Sequence, residues 1–475
     1  MITFIISICI LLFGYIFYSK YIENIFSPDE RTTPANEQND GVDFIPMSKN
    51  RNCLIHLLNI AGMGPILGAI QGILFGPIAF ILIPLGCILA GSVHDYFAGM
   101  LSMRNNGAQI TGLINKYLGN KIYKIFMVIV SIMLLLLATV FVYTSGDLFV
   151  ERFFGIKEFS ITNPTVISTY IVILLYFIVA TMFPIDKIIG RFYPFLGALL
   201  ILGTGLVLVG FFIKGVNLQE FSFSNFNAHP NKLPLIPMFF MTVSCGLLSG
   251  FHSTQATIIS RTVNSEKDGK QIFYGMMCLE SLIAIIWAAA AMDVYSLNQV
   301  PENMVGTVNV VNLIANKFVP FNLAFLVTLA VIVLPITSGD TALRGLRITI
   351  ADALNLEQKK ITNRLLIVIP IVFLIFGVLI WAKINAGSFS LIWRYFTFTN
   401  QLIAIPTLLC ATIFLAKAKK NYWVTLIPAL FYVFITITFI FNEKIGFNMP
   451  LQISEIIGLL ATIFSLIYVW SIKKK

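Results

Sequence analysis

His94 and Asp95 stand side by side in an apolar run (LAGSVHDYFAGM), His252 follows a Ser- and Gly-rich stretch, and Glu280 lies within MCLESLIAII. Ionisable side chains are costly in lipid, so each is a candidate for moving a proton or meeting an ion. Histidine titrates near neutrality, and a carboxylic acid out of water readily keeps its proton, so His94, Asp95, His252 and Glu280 form a proton-coupling set. The plainer alternative for each is a structural hydrogen bond to a neighbouring helix. Neighbours in sequence point in different directions on a helix, so His94 and Asp95 need not bond each other.

Two stretches look built to interrupt a helix. The first is AGMGPILG, where Gly62, Met63, Gly64 and Pro65 stop an apolar run. The second is SCGLLSGFHSTQAT, with Ser249, His252, Ser253 and Gln255 crowded beside Gly246 and Gly250. An unwound segment in lipid leaves backbone groups without partners unless protein or cavity water satisfies them. Half-helix ends point N–H groups at an anion and carbonyls at a cation. These eight residues, with Asn400 in TFTNQLIA, are therefore read as substrate-binding; a kinked packing helix is the alternative. Thr337, Ser338 and Thr341 offer hydroxyls suited to Na⁺. Asp340 and Arg344, at i and i+4, are spaced as a structural pair.

The elements that must hold these residues are membrane helices. The chain is 57% hydrophobic and only 11% charged, which excludes an ordinary water-soluble domain. Thirteen stretches are long and apolar enough to span: 2–18, 53–74, 77–102, 122–145, 163–184, 192–213, 235–259, 272–292, 322–343, 362–381, 389–415, 421–441 and 452–471. With the C-terminus inside, the inner loops hold 22 Lys and Arg and the outer loops 7. That bias places the N-terminus outside in a plasma (inner) membrane, and a miscounted helix would scramble it. The run at 2–18 lacks a basic leader and an A-x-A-like site, so it reads as a retained helix. The polar segment 19–52 reads as a solvated cytoplasmic loop, 104–121 as carrying an interfacial helix, and 293–321 as carrying a short external one.

The two breaks lie five spans apart, so the units holding them run in opposite directions. The fold class is thus an all-α polytopic membrane protein with an inverted repeat. Residues 1–52 form a first helix and loop, 53–213 the first repeat, 235–415 the second, and 421–475 two peripheral helices.

Several functions are disfavoured. There is no GxxxxGK[ST] loop, so an ATP-driven pump is not indicated. Neither HExxH nor GxSxG occurs, so an intramembrane enzyme is not expected, and no cofactor is called for. The positive net charge of +10 lies in short loops, which fits topology and not nucleic-acid binding. The six cysteines sit in apolar segments without a CxxC pair, and the first break has no acidic ligand, so no metal site is expected. The longest inner loop is too short for a sensor's signalling domain.

Seven stretches carry a resemblance: IAGMGPILG (60–68), LAGSVHDY (89–96), RNNGAQI (104–110), CGLLSGFHSTQA (245–256), SRTVNSEKDG (260–269), SGDTALRGLRITIAD (338–352) and RYFTFTNQLIA (394–404). In that order the chain resembles the carbon starvation protein A (CstA) family. Met63 stands where the family usually has a small residue, and longer members carry additional membrane helices. The resemblance implies the LeuT-like five-plus-five fold of the amino acid–polyamine–organocation superfamily. It also implies import of peptides or pyruvate on carbon limitation, with H⁺ a better-supported coupling ion than Na⁺. A Na⁺-coupled carrier of another small solute, or a sensor or channel of the same fold, is the alternative. The partners expected are a small solute, a coupling ion and the bilayer.

Overall fold

The computed structural model describes residues 1–473 except 42, 157, 183–188, 297–308, 355, 359, 386 and 387. Helix α1 runs Ile2–Phe26. The first break separates α2 (Lys49–Ile60) from α3 (Gly64–Phe75), and the pair is bent by 56°. Then come α4 (Ala79–Met103), a short α5 (Ile110–Leu118), α6 (Asn120–Phe154), α7 (Pro164–Met182) and α8 (Ile189–Lys214). The second break parts α9 (Leu235–Thr242) from α10 (Phe251–Ile259). The chain continues as α11 (Glu266–Ser296), a short α12 (Asn309–Phe318), α13 (Phe321–Leu354), α14 (Ile361–Ile384), α15 (Ser388–Lys417), α16 (Trp423–Asn442) and α17 (Leu451–Lys473).

Among the described residues, eleven helices are long and apolar enough to cross a membrane, and the bent pair α2–α3 makes twelve. The span expected at 235–259, which brings the expected count to thirteen, carries its expected break: two helices of eight and nine residues are joined by an unwound 243–250. Each half is too short to span alone. The last two residues expected in 163–184, and 297–308 of the expected outer connection, lie outside the described residues. The short helices expected in 104–121 and 293–321 are present as α5 and α12.

Lipid exposure follows the sequence pattern. On α17, Ile456, Leu460, Phe464 and Ile467 are exposed, and on α14 Leu366 and Phe373 are. Each helix satisfies its own backbone bonds, so these apolar faces can meet lipid. The breaks sit at the opposite extreme: every residue from Ile55 to Ile70 and from Val243 to Ser260 is buried.

The 19–52 segment is solvated only in part: 29–32 and 36–41 are exposed, while other stretches pack against the protein. Helix α1 continues to Phe26, which is fully buried and stacks under the Arg104 guanidinium at 4.0 Å. Beyond it the chain lies against the turn that follows α10. Met47 N donates to Thr262 O at 2.9 Å, and Thr33 Oγ1 to Val263 O at 2.6 Å. Asn52 bridges both sides, donating to Met47 O and Thr262 O and accepting from Thr262 Oγ1. The polar composition that suggested solvation supplies these bonds.

Candidate functional site

The two breaks meet, and glycine lets them. A Cβ on Gly64 would overlap the Cys245 side chain, so the first break approaches the second at backbone distance. Gly246 has φ +86, a left-handed conformation that only glycine adopts without strain, and it turns the chain out of α9. Gly62 lies against Phe141 of α6 and Ser338 of α13. Leu58 O, near the end of α2, accepts from Ser338 Oγ at 2.9 Å.

Helix α15 repairs the second break. Asn400 Oδ1 accepts from the Phe251 N–H at 2.7 Å and from Ser249 Oγ at 3.2 Å, capping the start of α10. Gln401 Nε2 donates to the carbonyls of Phe240 and Leu248 at 3.1 and 3.0 Å. Ser253 Oγ donates to Gly250 O at 2.7 Å. Orphaned helix-end groups in a dry interior must find such partners. Asn400, Ser249 and Ser253 thus hold the break's shape. Gln255, also buried, donates to Thr254 Oγ1 and keeps its Oε1 without a partner among the described residues.

The ionisable residues converge on the same place. His94 Nδ1 lies 2.8 Å from Asp95 Oδ1, so the neighbours do bond, which helical spacing alone does not require. His252 Nδ1, on α10, lies 3.0 Å from Asp95 Oδ2. With Asp95 ionised, both imidazoles place their N–H at Nδ1 and leave a lone pair on Nε2. His252 Nε2 then faces Glu280 Oε2 of α11 at 3.6 Å. His252, Asp95, His94 and Glu280 are all 0% exposed. Neither Glu280 oxygen, nor His252 Nε2, nor His94 Nε2 has a hydrogen-bond partner among the described residues. An imidazole lone pair and a carboxylate oxygen both accept; facing each other in a dry site, they repel until a proton or cation lies between them.

Two residues here were not singled out from sequence. His56 of α2 is fully buried, packs edge-on against Phe273 with ring centroids 5.2 Å apart, and has neither ring nitrogen bonded among the described residues. Its only sequence signal is a histidine in an apolar run, CLIHLLNI. Cys245 of the second break offers its Sγ to the place where His252 and Glu280 converge. Nothing in its spacing marks it apart from the other five cysteines.

The remaining expected sites lie nearby but are largely engaged. Thr337 Oγ1 donates to Leu334 O at 2.8 Å and Thr341 Oγ1 to Ser338 O at 3.0 Å, so both hydroxyls point back along α13. Ser338 of that set reaches the first break. Asp340 accepts from the Tyr176 hydroxyl at 2.7 Å, while Arg344 donates to Ala180 O at 2.7 Å and lies 3.5 Å from Asp43. Met63 and Pro65 are buried in the first break. The cavities described lie elsewhere: about 560 Å³ bordered by Glu23, Ser27 and Lys267, and about 300 Å³ bordered by Phe149, Thr169 and Tyr176. The breaks are closed on each other.

The family model described as "Carbon starvation protein CstA" matches residues 1–169, 155–324 and 304–439, and the chain belongs to that family. It is 37% identical to an uncharacterized membrane protein of Haemophilus influenzae over 64% of this chain and 94% of that one. It is 24% identical to the peptide transporter CstA of Bacillus subtilis, over 92% of this chain and 89% of that one. With the peptide transporter CstA of Campylobacter jejuni it shares 25% identity, and here it spans only 48% of the relative's length. Two solved structures have the same fold at low identity. A mutant of the Eremococcus coleocola manganese transporter superposes with TM-score 0.60 over 92% of this chain and 99% of its own, at 11% identity. MhsT in complex with L-phenylalanine gives TM-score 0.61 over 90% and 99%, at 17% identity. The protein is a multi-pass membrane transporter with a LeuT-type fold and not an enzyme.

Proposed function

We propose that the chain is a secondary importer of small carboxylate-bearing nutrients, peptides or pyruvate, driven by protons and working by alternating access. The observation that carries this reading is the meeting of two broken helices over a buried relay of imidazoles and carboxylates. The half-helix that starts at Phe251 would exchange its Asn400 cap for a substrate carboxylate when the breaks part. The His94–Asp95–His252–Glu280 line joins α4, α10 and α11, so a proton on it changes how the members of the moving bundle pack on one another. The relatives named as peptide transporters support the substrate class.

In this reading residues 53–213 and 235–415 are inverted repeats. Helices α2–α4 and α9–α11 rock against α6, α7, α13 and α14, the N-terminus lies outside and the C-terminus in the cytoplasm. Na⁺ at Ser338 and the Leu58 carbonyl is the second possibility, favoured by that one contact between α13 and the first break. Uptake into proteoliposomes decides between them. Labelled pyruvate and a labelled dipeptide are offered under an inward proton gradient and then under an inward Na⁺ gradient. Accumulation of one of them under the proton gradient alone is expected. Accumulation only under Na⁺ overturns the coupling ion, and accumulation of neither overturns the substrate class.

A further inference from the structure

We propose that Cys245, His252 and Glu280 form a binding site for a thiophilic divalent cation of the zinc class. One ligand atom from each, the Cys245 Sγ, a His252 ring nitrogen and a Glu280 carboxylate oxygen, lie within 4.8 Å of one another. All three residues are buried, at 5%, 0% and 0% exposure. The donors are the thiolate, imidazole and carboxylate that tetrahedral zinc and cobalt sites use. Magnesium and calcium prefer oxygen-only ligand sets, so the sulfur narrows the choice.

Three further features support a site and not a chance cluster. First, two of the three ligands are available as they stand: His252 Nε2 and both Glu280 oxygens have no hydrogen-bond partner among the described residues, while Cys245 Sγ makes one weak bond, donating to Ser249 Oγ at 3.7 Å. Second, the imidazole is already oriented. Asp95 holds His252 Nδ1 at 3.0 Å, which fixes the proton there and presents the Nε2 lone pair, the carboxylate–histidine–metal arrangement of natural zinc sites. Third, the ligands come from the unwound second break, α10 and α11, so the site exists only when these elements are assembled. Three protein ligands leave a fourth position for water, a backbone carbonyl or a bound solute. On binding, the Cys245 thiol and any protonated Glu280 release their protons to solvent, and no electrons move.

The site does not depend on the transport reading, and its test needs no uptake. The purified chain in detergent, stripped with chelator, is titrated with Co²⁺ and followed by absorption. The expected result is a thiolate-to-cobalt charge-transfer band with tetrahedral d–d bands, saturating at one ion per chain and displaced by Zn²⁺. Cys245→Ser removes the charge-transfer band, while Cys87→Ser, which alters a buried thiol outside the trio, leaves it. Asp95→Asn keeps all three ligands and weakens Co²⁺ binding about 10–100-fold by releasing the imidazole. A folded wild-type protein without the band overturns the proposal, as does a band that survives Cys245→Ser. Should Cys245→Ser not purify, an unchanged affinity in Asp95→Asn overturns it.

Discussion

Helix α11 carries two buried glutamates whose surroundings differ in kind. Glu266, at its start, accepts from Arg104 Nε and Nη2 at 3.0 and 2.9 Å, lies 3.6 Å from Arg31 Nε, and accepts from the Asp29 N–H at 3.1 Å. Glu280, further along the same helix, faces the His252 ring at 3.6 Å and has no Lys or Arg partner among the described residues. Both side chains are 0% exposed. A buried carboxylate with a bidentate guanidinium is a fastening: it ties α11 to α4 and to the segment after α1. A buried carboxylate facing a lone pair adds nothing to stability as it stands, and needs a proton or a cation that can come and go. The contrast separates a charge that fastens this fold from one that the proposed mechanism uses.

Glu280→Gln gives the largest effect. It should abolish gradient-driven accumulation in proteoliposomes while leaving the unfolding temperature equal or higher, because it removes an unanswered charge. Loss of stability with retained transport would reverse the roles. Glu266→Gln should do the opposite at the other end of the helix. Losing the Arg104–Glu266 pair costs about 3 kcal/mol in thermal or denaturant unfolding, because Arg104 keeps the more distant Asp29 carboxylate, at 3.9 Å, in place of a bidentate partner. Gly246→Ala tests whether the unwound break presents the site. Its φ of +86 strains any side chain, and a Cβ would come 2.8 Å from that of Ala284, so about 2 kcal/mol of stability is lost and uptake falls with it.

The smallest effect belongs to Asp29, beside Glu266. Hydrogen bonds from Arg31 hold its carboxyl well below the usual carboxylate range. A depressed value in the folded state means that its stabilisation is complete above the range of the unfolded carboxyl and disappears as pH falls through the folded value. Asp29→Asn should therefore lower stability slightly at neutral pH and converge with wild type only in strong acid, followed by unfolding at each pH.

The breaks and the intramembrane charges were legible because Gly, Pro and ionisable residues are rare in apolar spans and each demands a reason. AGMGPILG and SCGLLSG fall where the helices stop, and Asp95, His252 and Glu280 converge. What was not legible depended on contacts between distant segments. Asn400 and Gln401 look like free polar groups in α15, but the second break uses them to replace lost backbone bonds. The His94–Asp95 bond depends on side-chain torsions that helical spacing does not fix. His56 and Cys245 have ordinary local surroundings and acquire meaning only from the helices packed against them. The segment after α1 looked solvated throughout because its polar groups gave no hint that the turn at 260–265 would bond them.

The most direct test of the proton relay follows lumenal pH. Proteoliposomes holding a pH-sensitive dye, with equal pH on both sides and no membrane potential, receive external substrate. If the buried relay carries the coupling proton, the lumen acidifies as labelled substrate enters, and in Glu280→Gln substrate equilibrates without acidification. Entry of substrate into wild-type vesicles with no change in lumenal pH would contradict the account.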